Sequence, residues 1–86
     1  MPEISRFFGI IIAMFFDDHN PPHFHARYGN DNAVIKITDL TVLEGYLQPR
    51  ALGLVMEWAA IHKDELLNDW ELAKNKKPLF PVEPLK

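Results

Sequence analysis

Two adjacent prolines, Pro21 and Pro22, separate an apolar run from a stretch that alternates residue by residue. Proline has no backbone donor and fixes its own φ, so the pair cannot lie inside a sheet or a helix and reads as a rigid loop. Before it, Ile10 to Phe16 is unbroken apolar sequence rich in isoleucine and phenylalanine, bounded by Gly9 and Asp17. Its length and composition are those of a strand. After it, His23, His25 and Arg27 alternate with Phe24, Ala26 and Tyr28, so the two sets face opposite sides of an extended segment. Gly29-Asn30-Asp31-Asn32 is turn chemistry, and Ala33 to Thr38 resumes with Ala33, Ile35 and Ile37 on one side. The pattern predicts strands over 10–17, 23–28 and 33–38, joined as two antiparallel hairpins.

The hairpins can be checked against each other. If the turn joins Tyr28 to Ala33, Ala26 faces Ile35 and Phe24 faces Ile37. Pairing Asp17 with His23 across the proline loop sets Phe16 beside Phe24, Met14 beside Ala26 and Ile12 beside Tyr28. One face is then wholly apolar. The other carries Asp17, His23, His25, Arg27, Lys36 and Thr38, flanked by Ile11, Ala13 and Phe15. A slip of one residue would turn polar groups into the core, so the facing of each side chain is strongly set.

Downstream, Asp39 to Gln48 is a connector with a fourth short strand at 42–44 and a turn at Gly45. Pro49 stands where a first helical residue is tolerated. Leu52, Val55, Ala59, His62, Leu66, Trp70 and Ala73 then recur at three- and four-residue spacing. One helix over 49–75 would run roughly 40 Å at about 1.5 Å per residue, whereas a seven-residue strand spans roughly 23 Å. Such a helix either bends near His62-Lys63-Asp64 or overhangs the sheet. From Pro78 onward, Pro78, Pro81 and Pro84 exclude helix, and Leu79, Val82 and Leu85 recur with the three-residue period of polyproline II. The expected fold is α+β: a three- to four-stranded antiparallel sheet packed on one long or bent helix, forming a single domain over 1–77. A proline-rich tail over 78–86 is laid along a surface, its own or a partner's.

Composition narrows the function classes. Eighty-six residues and 10.0 kDa make one domain, and 48% hydrophobic content is that of a folded chain. A formal net charge of −3 argues against a broad basic field for duplex nucleic acid, though not against a local basic patch. The lack of cysteine removes disulfides and thiolate metal sites. With no signal-peptide pattern and an apolar run too short to cross a bilayer, the expected setting is the cytoplasm, without membrane association.

The polar face supports three chemistries. Metal-independent RNA cleavage needs a base, an acid and cations for the phosphate. His23 and His25 are the proton-transfer candidates because imidazole titrates near neutrality. Asp17 would orient one ring, and Arg27, Lys36 and His19 would bind the substrate; no cofactor is needed. Alternatively, His-x-His on a strand projects two imidazoles from one face, about 7 Å apart at Cα. That suits Zn²⁺ or another divalent ion, with Asp17 or His19 completing three ligands and Arg27 and Lys36 opposing the cation. The third account is structural, with the imidazoles bonded to loop carbonyls and Asp17 alone. His62, inside an apolar stripe, reads as a core histidine rather than a ligand, and Trp58 and Trp70 read as core. Ile11, Ala13, Phe15 and Val34 are too apolar to stay wet on the histidine face. They predict cover by a homodimer, by a partner protein, or by the chain's own helix end or tail.

Arg6-Phe7-Phe8-Gly9-Ile10 and Asp18-His19-Asn20-Pro21-Pro22-His23-Phe24-His25 resemble a small bacterial family known as domain of unknown function 4160. The likeness extends to Tyr28-Gly29, Leu43-Glu44-Gly45, Glu57-Trp58-Ala59, Asn68-Asp69-Trp70 and the Pro-Leu ending, and its specific core is His-x-x-Pro-His-Phe-His. Gln48-Pro49 departs from the family pattern, which places the proline directly after Leu47. The resemblance implies a bacterial or phage cytoplasmic protein encoded beside another small gene, as toxin–antitoxin pairs are, and supplies no established activity. A looser likeness in pattern is to the HicA toxins, which place a histidine on a strand, then a second strand, then a Gly-x-Leu turn into a helix. His23 or His25, Ala33 to Thr38 and Gly45-Tyr46-Leu47 stand in similar positions here. The expected function is therefore that of a toxin–antitoxin-like module acting on RNA or a partner protein through the His/Asp/Arg face. The alternative is a divalent-metal-binding or purely structural interaction module.

Overall fold

Short turns between extended segments leave consecutive strands to pair with each other. The computed structural model, which describes residues 2–16 and 18–86, accordingly shows one antiparallel sheet in chain order. Its strands are β1 (Glu3–Phe7), β2 (Ile10–Ala13), β3 (His23–Tyr28), β4 (Asp31–Lys36) and β5 (Val42–Gly45). Two helices follow, α1 (Pro49–Ile61) and α2 (Lys63–Lys74). The class is α+β as expected, with five strands rather than three or four. The additional strand is β1, whose alternation is hidden by a register shift between Glu3 and Ser5 that buries Ile4 and Ser5 in succession. β2 ends at Ala13 rather than at 17. Met14 N–H still donates to the Pro2 carbonyl at 3.1 Å, but Phe16 has turned out to 45% exposure.

Both hairpins keep the predicted facing and shift the predicted register by two residues. Ile12 pairs with Ala26, and Ile10 with Tyr28. Phe24 pairs with Ile35, Ala26 with Ala33 and Tyr28 with Asp31. The β3–β4 loop is thus the two-residue Gly29-Asn30, with Gly29 at φ 60, and β4 starts at Asp31. Two-residue loops match the twist of paired strands. A shift of two returns every side chain to the same face, so Ile10, Ile12, Met14, Phe24, Ala26, Ala33, Ile35 and Ile37 are all buried.

Against that face α1 lays Val55, Trp58 and Ala59, with the Trp58 ring 5.3 Å from Phe7 and 5.9 Å from Phe24. The longest dimension of the molecule is 33 Å, shorter than the roughly 40 Å an unbroken helix over 49–75 would need. The chain breaks at His62, at φ −110 and ψ 24, and two helices replace the expected one. The His62 ring bridges the break, its Nδ1–H donating to Glu65 Oε1 at 2.6 Å. Asp64 and Glu65 in the first turn of α2 complement its N-terminal dipole. Beyond the break, α2 returns Leu66, Trp70 and Ala73 to the core. Among the described residues no helix is long and apolar enough to cross a membrane.

The proline-rich tail lies on its own fold. Val82 is buried, and Leu79 and Leu85 pack against the core beside it, as their three-residue spacing requires. Val82 N–H donates to the Ile4 carbonyl at 2.8 Å on β1. Trp58 Nε1–H, deep under the tail, donates to the Glu83 carbonyl at 2.8 Å.

A third tether is Phe80 N–H to Asp69 Oδ1 at 2.9 Å. Asp69 is 1% exposed and its Oδ2 has no partner among the described residues. Burial raises its carboxyl above the ordinary aspartate value, against the Phe80 N–H and with added repulsion from Glu65. The folded chain therefore holds this proton to a higher pH than the unfolded chain does. That contribution is complete below the unfolded value of 3.8 and is lost as pH rises through the folded value. Asp69→Asn, which keeps an acceptor for Phe80, is expected to flatten the stability profile above the unfolded value of 3.8 in urea denaturation. Asp69→Ala, which frees the tail, should lower stability by about 1–2 kcal/mol.

Candidate metal centre

Residues two apart on a strand share a face, and His23 and His25 on β3 do, with ring centroids 5.3 Å apart. The proline loop, with a cis Asn20–Pro21 bond, brings a carboxylate to them. That carboxylate is Asp18, whose Oδ2 lies 2.8 Å from His23 Nε2 and 3.5 Å from His25 Nε2. Asp17, the expected partner, lies outside the described residues. Asp18 escapes the strand-based reading because β2 stops at Ala13, and in a loop the alternation that singles out Asp17 no longer operates. The paired carboxylates ahead of the prolines were the available signal.

The two histidines are not equivalent. His23 is buried, not on an open face, because Trp70 of α2 covers the start of β3 with its ring 5.0 Å away. Its Nδ1–H donates to the Pro21 carbonyl at 2.7 Å, so the ring is fixed in orientation. His25 keeps 31% of its side chain exposed, with Phe15 edge-on at 4.4 Å. Its Nε2 is buried without a hydrogen-bond partner among the described residues. Burial moves this imidazole toward its neutral form, below the usual histidine value, against the pull of Asp18. Burial works the other way on Asp18. There it is outweighed by the His19 N–H, at 2.9 Å, and by the imidazole of His23, so the carboxyl sits below the usual aspartate value.

The remaining candidates spread outward. The side chain of His19 is 94% exposed and among the described residues pairs only with Asp18 Oδ1, at 3.5 Å. Lys36 pairs with His23 along the backbone, but its Nζ lies 3.6 Å from Asp39 Oδ2. Arg27 is exposed between Ile11 and Asn32, and its guanidinium has no hydrogen bond or ion pair among the described residues. His62 is half-buried against Trp58 and bonded to Glu65, away from the cluster.

Asp18, His23 and His25 each offer one donor atom, all within 4.8 Å of one another. A carboxylate oxygen and two imidazole nitrogens form a donor set suited to zinc and similar divalent ions. A histidine whose second nitrogen is held by a backbone carbonyl, as His23 is by Pro21, has the outer-sphere arrangement typical of a metal ligand. Cavities of about 370 and 440 Å³ open elsewhere, around Arg50 and around Tyr46.

No curated protein and no solved structure matches this chain. Residues 9–71, which run from the Phe8-Gly9 turn into α2 and include Asp18, His23 and His25, match the family described as Domain of unknown function (DUF4160), and the chain belongs to that family.

Proposed function

We propose that the chain binds a divalent cation of the zinc type through Asp18, His23 and His25. The observation supporting this is the convergence of acceptors. The Pro21 carbonyl takes the Nδ1 hydrogen of His23, so in the neutral ring the Nε2 lone pair is directed at the Asp18 carboxylate. A proton between His23 and Asp18 satisfies that pair and leaves the buried Nε2 of His25 orphaned. One metal ion satisfies all three.

Zinc bonds of about 2.0–2.1 Å at tetrahedral angles set donors roughly 3.3 Å apart. The 3.5 Å between His25 and Asp18 suits this, and the 2.8 Å between His23 and Asp18 has to open slightly. Lys36 is turned to Asp39, and Arg27 is solvated, so neither confronts the ion closely. Three protein ligands leave a position for water or an anionic group.

RNA engagement at the same face, within the two-gene module that the family resemblance suggests, is the second reading. Arg27 favours it, because an exposed guanidinium on the histidine face suits a phosphodiester. Metal-free acid–base cleavage is less well supported. His23 has both ring nitrogens committed, which leaves His25 to act alone. The exposed Val42, Leu43 and Tyr46 offer surface for a protein partner in that module.

Protein purified without a histidine tag is expected to carry, or to take up from zinc, nickel or iron solutions, close to one equivalent of metal by elemental analysis. Sub-stoichiometric content with all of these ions would overturn the proposal. A bound ion at about 100 times its dissociation constant should stabilise the fold by about 2.7 kcal/mol, which EDTA removes. His25→Ala should abolish the metal-dependent increment while changing metal-free stability by less than about 1 kcal/mol. His23→Ala should cost about 2–4 kcal/mol even without metal, since it empties a site against Trp70 and strands the Pro21 carbonyl. If acid–base cleavage of RNA is the activity instead, cleavage ends mapped by RNA sequencing after induction will persist on metal withdrawal and vanish in His25→Ala.

A further inference from the structure

At the far end of β3, where Tyr28 closes the strand, a cavity of about 370 Å³ opens between the β1–β2 turn and the start of α1. Phe8 and Tyr28 supply its aromatic walls, Ile10 and Leu54 its apolar floor, and Gln48 and Arg50 its polar side. We propose that this cavity is a nucleotide site: a planar base packs against Phe8 and Tyr28, the Gln48 amide reads its edge, and Arg50 binds the phosphate. It goes beyond the metal proposal and is separate from it. Tyr28 lies five residues along β3 from His23, about 17 Å at strand rise, with its side chain on the opposite face.

The first support is backbone geometry. Phe8 and Gly9 form a two-residue hairpin turn with φ values of 50 and 80. A turn with both central residues left-handed favours Asn-Gly, and a bulky ring at the first position is an outlier. The Phe8 ring gains no burial in exchange, being 60% exposed at the rim of the cavity. Strain of this kind marks functional positions more often than scaffold ones. Gly9 has a plain structural reason, since a Cβ there would lie 3.3 Å from the Tyr28 ring. The missing side chain thus leaves the Tyr28 ring room beside the turn, as the second wall.

The second support is the inventory of uncommitted polar groups. Arg50 is exposed and its guanidinium has no hydrogen bond or ion pair among the described residues. Gln48 is the N-cap residue of α1, yet its side chain makes no capping bond. The lining holds one guanidinium and no carboxylate, so it repels cations and suits an anion. An amide with both donor and acceptor, two π-faces and a bidentate cation together match the parts of a nucleotide. The volume is at the small end of ligand pockets, enough for one nucleotide and too little for a dinucleotide cofactor. A free nucleoside monophosphate and one unit of single-stranded RNA share this chemistry.

The test is titration of the full chain with AMP, with adenosine and with an adenylate RNA hexamer, followed by calorimetry and by backbone amide shifts in NMR. AMP or the hexamer is expected to move the amides of Phe8, Tyr28 and Arg50. Phe8→Asn, whose new residue accepts a left-handed backbone, should keep or raise the thermal midpoint and weaken binding at least tenfold. Arg50→Gln should weaken AMP at least tenfold and adenosine less than threefold. Binding of the hexamer alone assigns the site to an RNA strand, and equal binding of AMP assigns it to the free nucleotide. The proposal is overturned if neither ligand binds the parent, if Phe8→Asn and Arg50→Gln bind as the parent does, or if the shifts fall at His25 instead.

Discussion

His23 ties together the double-proline loop, the sheet and the second helix. Its backbone pairs with Lys36 in the sheet, its Nδ1–H closes the double-proline loop onto Pro21, and its Nε2 holds Asp18. Trp70 of α2 seals it from water. A buried polar ring is stable only when every polar atom has a counterpart, so position 23 constrains loop conformation, strand register and helix position at once. His25, two residues on, lacks those ties. It inherits a fixed carboxylate from its neighbour and keeps an unpartnered nitrogen beside it. One imidazole organises the site and the other is left able to act.

What was legible in the sequence follows the range of the forces involved. Facing depends on local alternation and burial, so the inward set of Phe24, Ala26, Ile35 and Ile37 could be read directly. Absolute register depends on loop length. Gly29-Asn30-Asp31-Asn32 contains two overlapping turn solutions, and the tighter one has the better twist. β1 could not be read because a bulge erases the period of two on which the reading rests. The helix break was legible as a conflict of lengths, since a rod of roughly 40 Å over 49–75 outruns strands of roughly 23 Å, and the 33 Å extent of the molecule leaves no room for it. The tail was legible as a period of three, but not the surface it lies on, because the bonds to Ile4, Asp69 and Trp58 join positions remote in sequence.

The site divides along the same line. That His23 and His25 share a face is a local fact of β3 and was readable from their spacing. Which of them is buried depends on Trp70, which lies 47 positions beyond His23 and arrives only because α2 turns back at His62. The choice between Asp17 and Asp18 depends on where β2 ends, and apolar sequence does not mark that point. Phe15 and Phe16 continue the hydrophobic run after the strand has stopped, one ring shielding His25 and the other facing solvent. A run that combines strand residues with site-covering residues looks uniform in sequence and is divided only by the fold.

The distribution of satisfied and unsatisfied polar groups separates structure from function more sharply than residue type does. Asp18 and His23 have their bonding positions engaged, and His62 has its Nδ1 engaged by Glu65, each where the chain changes direction. The ring of His62 spans the helix break although histidine is the residue type most readily taken for a ligand. Groups left over among the described residues include the buried Nε2 of His25, Asp69 Oδ2 and Ser5 Oγ, and the exposed side chains of Arg27, Gln48 and Arg50. His25 and Arg27 lie on one face of β3, and Gln48 and Arg50 line the cavity beside Tyr28 on the other. Folding leaves polar groups unpaired where nothing in the chain can reach them, and burial makes such a vacancy costly. For the His25 nitrogen, already withdrawn from water, a ligand restores a bond the fold does not supply. For the exposed groups around Phe8 water serves as the default partner, so a ligand there must displace water and win its affinity from stacking and charge together.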